Sequence, residues 1–184
     1  MSRIEALAWG ERIQQVMEFK NSIQYRRLKI DAIDVNQQTI FASLSSEAPV
    51  QRFFGTEILT HLPDAINLER AANGLPLLFN HNDNQPIGVV ESIWLDTLVS
   101  KLRGNLKFSP HNQKSREVWP DVRDGYLKNL SIGYRIEDYQ EIKNSDTIRI
   151  TKWTPLEVFV VSVPADFTVG INKNMETQNS TTDN

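Results

Sequence analysis

Leu98-Val99-Ser100-Lys101-Leu102-Arg103-Gly104-Asn105-Leu106-Lys107-Phe108 is the stretch whose pattern decides the fold class. Leu102, Leu106 and Phe108 fall on one side of a two-residue period; Lys101, Arg103, Asn105 and Lys107 fall on the other. That is a strand with one buried and one wet face. Ile87 to Leu95 lies just before it, so the two stretches predict a hairpin. Further towards the N-terminus, Pro76 to His81 reads as a strand running into an Asn82-Asp83-Asn84 turn, with His81 at the strand end. Tyr25 to Ile33 and Thr39 to Leu44, separated by Asp34-Val35-Asn36-Gln37, predict another hairpin. Glu57 to Leu62 and Asn67 to Ala72 read as short helical pieces, and residues 2–20 as a helix opened by a Ser2/Glu5 capping box. On the C-terminal side, Ser109 is the expected N-cap of a helix with Pro110 at its first position. Pro120 is expected to break that helix in two and Gly125 to stop it. Tyr126 to Glu137 and Ile148 to Val163 are further strands. Some six to eight strands joined by short turns predict a mainly β domain, an antiparallel sheet or barrel with a few peripheral helices. The regular alternation of helix and strand that a doubly wound sheet needs is missing.

The 184 residues fit one domain of ordinary size. We divide the chain into an N-terminal helical extension (1–22), a core domain (23–171) and a polar tail (172–184) without apolar periodicity, expected to be disordered. Apolar residues make up 40% and charged residues 23%, as in folded domains generally. Lys and Arg total 20 against 23 Asp and Glu, for a net charge of −3, so no basic excess exists to neutralise a phosphate backbone and nucleic acid is not expected as a partner. The absence of cysteine excludes disulfides, Cys-ligated zinc and a thiolate nucleophile. The longest apolar runs, such as Val158 to Val163, are far shorter than the ~20 residues of a membrane span, and the charged start lacks the apolar stretch of a signal peptide. A protein of the cytoplasm is the expectation.

Along Leu127 to Ile136 the period of two puts Leu130, Ile132, Tyr134 and Ile136 on one face and Asn129, Ser131, Gly133 and Arg135 on the other. Ser131 thus points away from the apolar core, beside a glycine that leaves room for another backbone to approach. A solvated strand serine next to a bulge fits the same pattern. His81 is a turn residue on the plainest reading; a neutral imidazole is also the usual base for a serine hydroxyl. His61 and His111 compete with it but have no serine-bearing strand beside them in sequence. The three histidines lack an H-x-x-x-H pair, so a metal site is not expected. Glu157 shares a strand face with Phe159, Val161 and Val163, where a carboxylate is costly unless paired. It either reaches water or an arginine, or orients a histidine through one ring nitrogen.

Four motifs in order carry a family resemblance. They are Ser46-Glu47-Ala48-Pro49-Val50-Gln51-Arg52, Pro76-Leu77-Leu78-Phe79-Asn80-His81, Asn129-Leu130-Ser131-Ile132-Gly133-Tyr134, and Glu157 through Val163-Pro164-Ala165-Asp166. Together they resemble the prohead (procapsid) maturation proteases of tailed phages, over about residues 25–171. Those enzymes are similar to the herpesvirus assemblins, serine proteases built on an antiparallel β-barrel surrounded by helices. The resemblance implies Ser131 as nucleophile, His81 as general base and Glu157 as the third member, with Glu91 and Asp166 in reserve. The family's last motif commonly carries a serine two residues after the acid; here Phe159 stands there. The resemblance further implies cleavage of scaffolding protein, or of the scaffolding segment of the major capsid protein, and of the protease itself, inside the viral procapsid in the host cytoplasm. It implies no cofactor and leaves a homo-oligomer open. A non-catalytic procapsid core or scaffold protein with the same barrel is the competing reading.

Overall fold

The computed structural model describes residues 3–162, with the side chains of residues 3–10 and 27–29 set aside. Asp166 and the 172–184 tail lie outside the described residues. Helix α1 (Arg3–Lys20) precedes the first hairpin, β1 (Gln24–Asp34) and β2 (Thr39–Ser46). Two short strands follow, β3 (Val50–Arg52) and β4 (Gly55–Leu59), then a 3-10 turn at Arg70–Asn73 and the strands β5 (Leu75–Phe79), β6 (Asn82–Asp96) and β7 (Lys101–Phe108). Helix α2 (Gln113–Arg123) leads to the long closing pair β8 (Asn129–Glu141) and β9 (Thr147–Val161).

The strands pair in the order β9-β5-β6-β7-β2-β1-β8, and β8 pairs again with β9, so the sheet curls back on itself as a barrel; β4 and β3 extend it from β9. The mainly β, barrel-like architecture is the one expected. Two pairings depart from antiparallel: β4 and β5 both run parallel to β9. Closure follows from the period-two pattern, because each strand turns its apolar side inwards. Leu102, Leu106 and Phe108 are at most 1% exposed, as are Leu130, Ile132 and Tyr134 of β8. Val16 and Phe19 of α1 are buried too, Phe19 against the rings of Phe53 and Phe54. Trp119 of α2 packs on Phe108, ring centroids 4.9 Å apart.

Five local expectations are corrected. Glu57 to Leu62 is not helical: its first half, residues 57–59, ends β4, where Glu57 is fully buried and takes Arg26 Nε at 2.9 Å and Nη2 at 2.6 Å. A tertiary ion pair overrides the local helix preference. Of Asn67 to Ala72, only a 3-10 turn over Arg70–Asn73 is helical. The cap of α2 is Asn112, whose side chain accepts from Ser115 N at 3.0 Å, while Ser109 Oγ accepts the amides of His111 and Asn112 before the helix. Pro120 does not break α2, since buried Val118, Trp119 and Val122 hold both sides of it against the barrel. Lastly, Asn82-Asp83-Asn84 is not the turn after β5. Phe79 pairs with Asn82, leaving Asn80 and His81 as a two-residue hairpin loop with φ of 50° and 55°. Both positive angles mark a type I′ turn, which asparagine and, less readily, histidine accept.

Candidate active site

Two neighbouring cross-strand rows on the outer face of β1, β8 and β9 carry the site. In one row Tyr25 of β1 opposes Gly133 of β8, which opposes Glu157 of β9. In the next, Ser131 opposes Phe159, which in turn opposes Leu78 of β5. Ser131 and Glu157 are therefore diagonal neighbours on one face, a relation that separates residues by about 7–8 Å and their Cβ atoms by somewhat less. This side of the sheet has its own small apolar cluster, Leu78, Phe159 and Val161 with Tyr25 packed on it, separate from the barrel interior. Ser131 points away from the main core, as expected, yet its surroundings are not wet. It is 0% exposed, and its Oγ has no hydrogen-bond partner. A buried hydroxyl left unpaired costs stability, and such groups call for a functional explanation.

His81 comes to this face from the hairpin loop. Its ring centroid lies 4.6 Å from Phe159 and 4.8 Å from Tyr25, the latter in edge-to-face contact. The two aromatic rings thus hold the imidazole over the strands that carry Ser131 and Glu157. The loop itself is tied to the end of β9: Asn80 N donates to Val160 O at 2.9 Å, and Asn80 Oδ1 accepts from Ser162 N at 2.9 Å. Burial against the rings keeps the His81 pKa below its ordinary value, which favours the neutral, proton-accepting form at pH 7. Phe159, the departure from the family's last motif, is thus the floor under the histidine.

Gly133 explains how Glu157 fits. A Cβ at that position would lie 2.8 Å from both Cγ and Oε1 of Glu157 and 3.1 Å from Tyr25 Cε1. The space left by the missing side chain is therefore filled by the acid and the tyrosine, not by an approaching backbone. Burial, with the nearby Asp83 charge, pushes the Glu157 pKa up, while Arg70 and a hydrogen bond from the Tyr25 hydroxyl oppose the rise. Burial also raises the Tyr25 pKa, and the charges of Glu157 and Asp83 add to it.

The competing residues lie elsewhere. His61 is 2% exposed, packed against the Trp153 ring; its Nδ1 donates to Leu59 O at 3.0 Å, so Nε2 accepts from Ser45 Oγ at 2.7 Å. This serine–histidine pair was not foreseen, because Ser45 lies near the end of β2 and His61 follows β4, two strands that do not pair with each other. His61, unlike His81 on its exposed hairpin loop, is enclosed, and the pair satisfies buried polar groups. His111 sits in the exposed loop before α2. Glu91 pairs with Lys107 Nζ at 3.0 Å on the surface of β6 and β7. The contact of Tyr25 with both His81 and Glu157 was also missed; in sequence Tyr25 is only the first aromatic of an ordinary strand. Among the described residues no three His, Asp or Glu side chains converge as a metal set, and no helix is long and apolar enough to cross a membrane.

Residues 60–183 match the family described as caudovirus prohead serine protease. The chain belongs to that family. It is 40% identical over 145 residues to the major capsid protein of Halomonas phage phiHAP-1, a match covering 76% of this chain and 24% of the relative. A second relative, the capsid polyprotein of Pseudomonas phage PAJU2, is 25% identical over 153 residues, 80% of this chain and 21% of that one. The matched region thus spans about a quarter of these curated relatives. Among solved structures, the bacteriophage T4 capsid assembly protease has a similar fold, with a TM-score of 0.53 at 12% identity, over 78% of this chain and 100% of that one.

Proposed function

We propose that the chain is a serine endopeptidase of procapsid maturation, with Ser131 as nucleophile, His81 as general base and Glu157 as the acid that orients the histidine. The observation carrying this reading is the meeting, on one sheet face, of residues from three separate family motifs: Ser131 and Glu157 as diagonal neighbours, and His81 against the Phe159 ring that opposes Ser131. As a peptide carbonyl approaches, neutral His81 takes the proton from Ser131 Oγ, the hydroxyl oxygen bonds to the carbonyl carbon, and the imidazolium returns the proton to the departing amine. Water then hydrolyses the acyl-enzyme by the same route in reverse. Ser131 Oγ breaks no existing hydrogen bond to enter this sequence.

The substrates are peptide bonds in scaffolding protein, or in a scaffolding segment of the capsid protein, and in the protease itself. The two longer relatives named for capsid proteins support a protease encoded in one chain with the capsid protein it processes. Cleavage would then occur inside the procapsid, in the host cytoplasm. The test is the intact mass of stored protein beside the variants Ser131→Ala, His81→Ala and Ser45→Ala. Trimming in wild type and Ser45→Ala, and its loss in the other two, is the expected result, with peptide cleavage lowered on the order of 10⁴-fold or more. Trimming that persists in Ser131→Ala ends the reading, and loss in Ser45→Ala alone transfers it to the buried pair. Full-length mass and no peptide cleavage in every sample point to a non-catalytic procapsid core protein, or to an enzyme that is inactive as a monomer.

A further inference from the structure

Tyr25 meets both partners proposed for the serine. Its ring stands edge-on to His81 at 4.8 Å and to Phe159 at 5.7 Å, and it lies in the same cross-strand row as Glu157, with Gly133 between them. The missing Cβ of Gly133 is the common gap: Glu157 Oε1 and Tyr25 Cε1 lie 2.8 Å and 3.1 Å from where that atom would stand. The Tyr25 hydroxyl and the Glu157 carboxylate face each other across this gap, and each bears on the other's ionisation. Tyr25 precedes residue 60, where the family match begins, so nothing in that match assigns it a role.

We propose that Tyr25 is a positioning residue of the site, holding the Glu157 carboxylate in place beside Gly133 through its hydroxyl and the His81 imidazole through its ring. The proposal rests on the assignment of Ser131, His81 and Glu157 as the catalytic set. In that row the carboxylate faces the Tyr25 hydroxyl from β1, with the charges of Arg70 and of Asp83 in β6 acting on it in opposite senses, and β8 contributes only the side-chain-free Gly133. Removing the hydroxyl takes away one of the two influences, with Arg70, that hold the Glu157 pKa down against burial and the Asp83 charge, and a carboxyl that is less ionised stabilises an imidazolium less. The ring has a separate duty. His81 occupies a positive-φ loop position whose backbone does not dictate where the imidazole points, and the rings of Tyr25 and Phe159 supply that restriction.

The experiment compares wild type with Tyr25→Phe, Glu157→Gln, the double variant and Ser131→Ala in a peptide-cleavage assay run across pH 5 to 9, with thermal unfolding of each. Tyr25→Phe keeps the ring and its packing, so its unfolding midpoint should match wild type. Its kcat should fall about 10- to 100-fold, the usual weight of a hydrogen bond to a charged group, with KM little changed and the acid limb of the profile moved to higher pH. In the Glu157→Gln background the same substitution should cost less than about twofold, because two groups acting through one contact are not additive. Wild-type kcat and pH profile in Tyr25→Phe overturn the proposal, as do fully additive losses in the double variant. Faster cleavage by Tyr25→Phe overturns it as well, since the hydroxyl would then be restraining the acid. Should Ser131→Ala remain active, the catalytic assignment itself fails, a result distinct from every outcome for Tyr25.

Discussion

Gly133→Ala separates the demands of the fold from those of the site. Its backbone needs no positive φ, so alanine is conformationally acceptable and gains the ~0.4–1 kcal/mol that follows from a less flexible unfolded chain. Against this stands the added methyl, 2.8 Å from Glu157 Cγ and Oε1 and 3.1 Å from Tyr25 Cε1. Ordinary contact begins near 3.4 Å, so Glu157 must retreat by about 0.6 Å or more. The atoms in the way belong to two side chains on an outer face, not to backbone, and both can swing outwards. An overpacking cost at the lower end of the usual ~1–3 kcal/mol therefore applies. The two terms leave a net loss of about 0–2 kcal/mol, a few degrees in unfolding midpoint for a domain of this size. Activity is affected far more, because displacing a positioned group by about 1 Å costs on the order of 10²-fold. The assay pairs thermal unfolding with peptide cleavage, and a near-native midpoint with cleavage reduced about 100-fold is expected. Undiminished cleavage by a folded Gly133→Ala protein would show that neither Glu157 nor Tyr25 has to occupy its present place.

Ser131→Ala should leave stability unchanged or raise it by up to about 1 kcal/mol in urea unfolding, since it removes a buried hydroxyl that has no partner; a clear loss would point to an unseen bond at Oγ. Glu57→Ala should lower stability by about 3–5 kcal/mol, because Arg26 and Arg52 lose the buried carboxylate they share and Tyr134 loses its acceptor; a change under 1 kcal/mol in the same measurement would refute this. Burial holds the His61 pKa below its ordinary value, so the unfolded chain binds a proton that the folded chain refuses. Stability should be level above about pH 6.5 and fall as the pH drops below it, and the difference between wild type and His61→Gln should isolate this share from that of His81; a pH-independent difference contradicts the assignment.

The residues alone determined the strand-rich fold. A period of two along Lys101 to Phe108 and Leu127 to Ile136 survives any tertiary arrangement, because burying one face of a strand requires it whatever the partner. They also separated Ser131 from the inward-facing Leu130, Ile132 and Tyr134, a distinction the barrel keeps. Local propensity misread Glu57 to Leu62, since the buried arginine that holds this segment as a strand comes from β1, 31 residues away. It likewise placed the turn after β5 too late, because the Phe79–Asn82 pairing belongs to the hairpin as a whole. The site was legible as residue types and motifs and not as an arrangement. Only the register of three strands puts Tyr25, Gly133 and Glu157 in one row with Ser131 in the next, and only burial distinguishes the enclosed Ser45–His61 pair from His81, which reaches the surface on its hairpin loop. Cross-strand register and solvent exposure are properties of closure, set by contacts between segments far apart in the chain, so no local reading of either segment contains them.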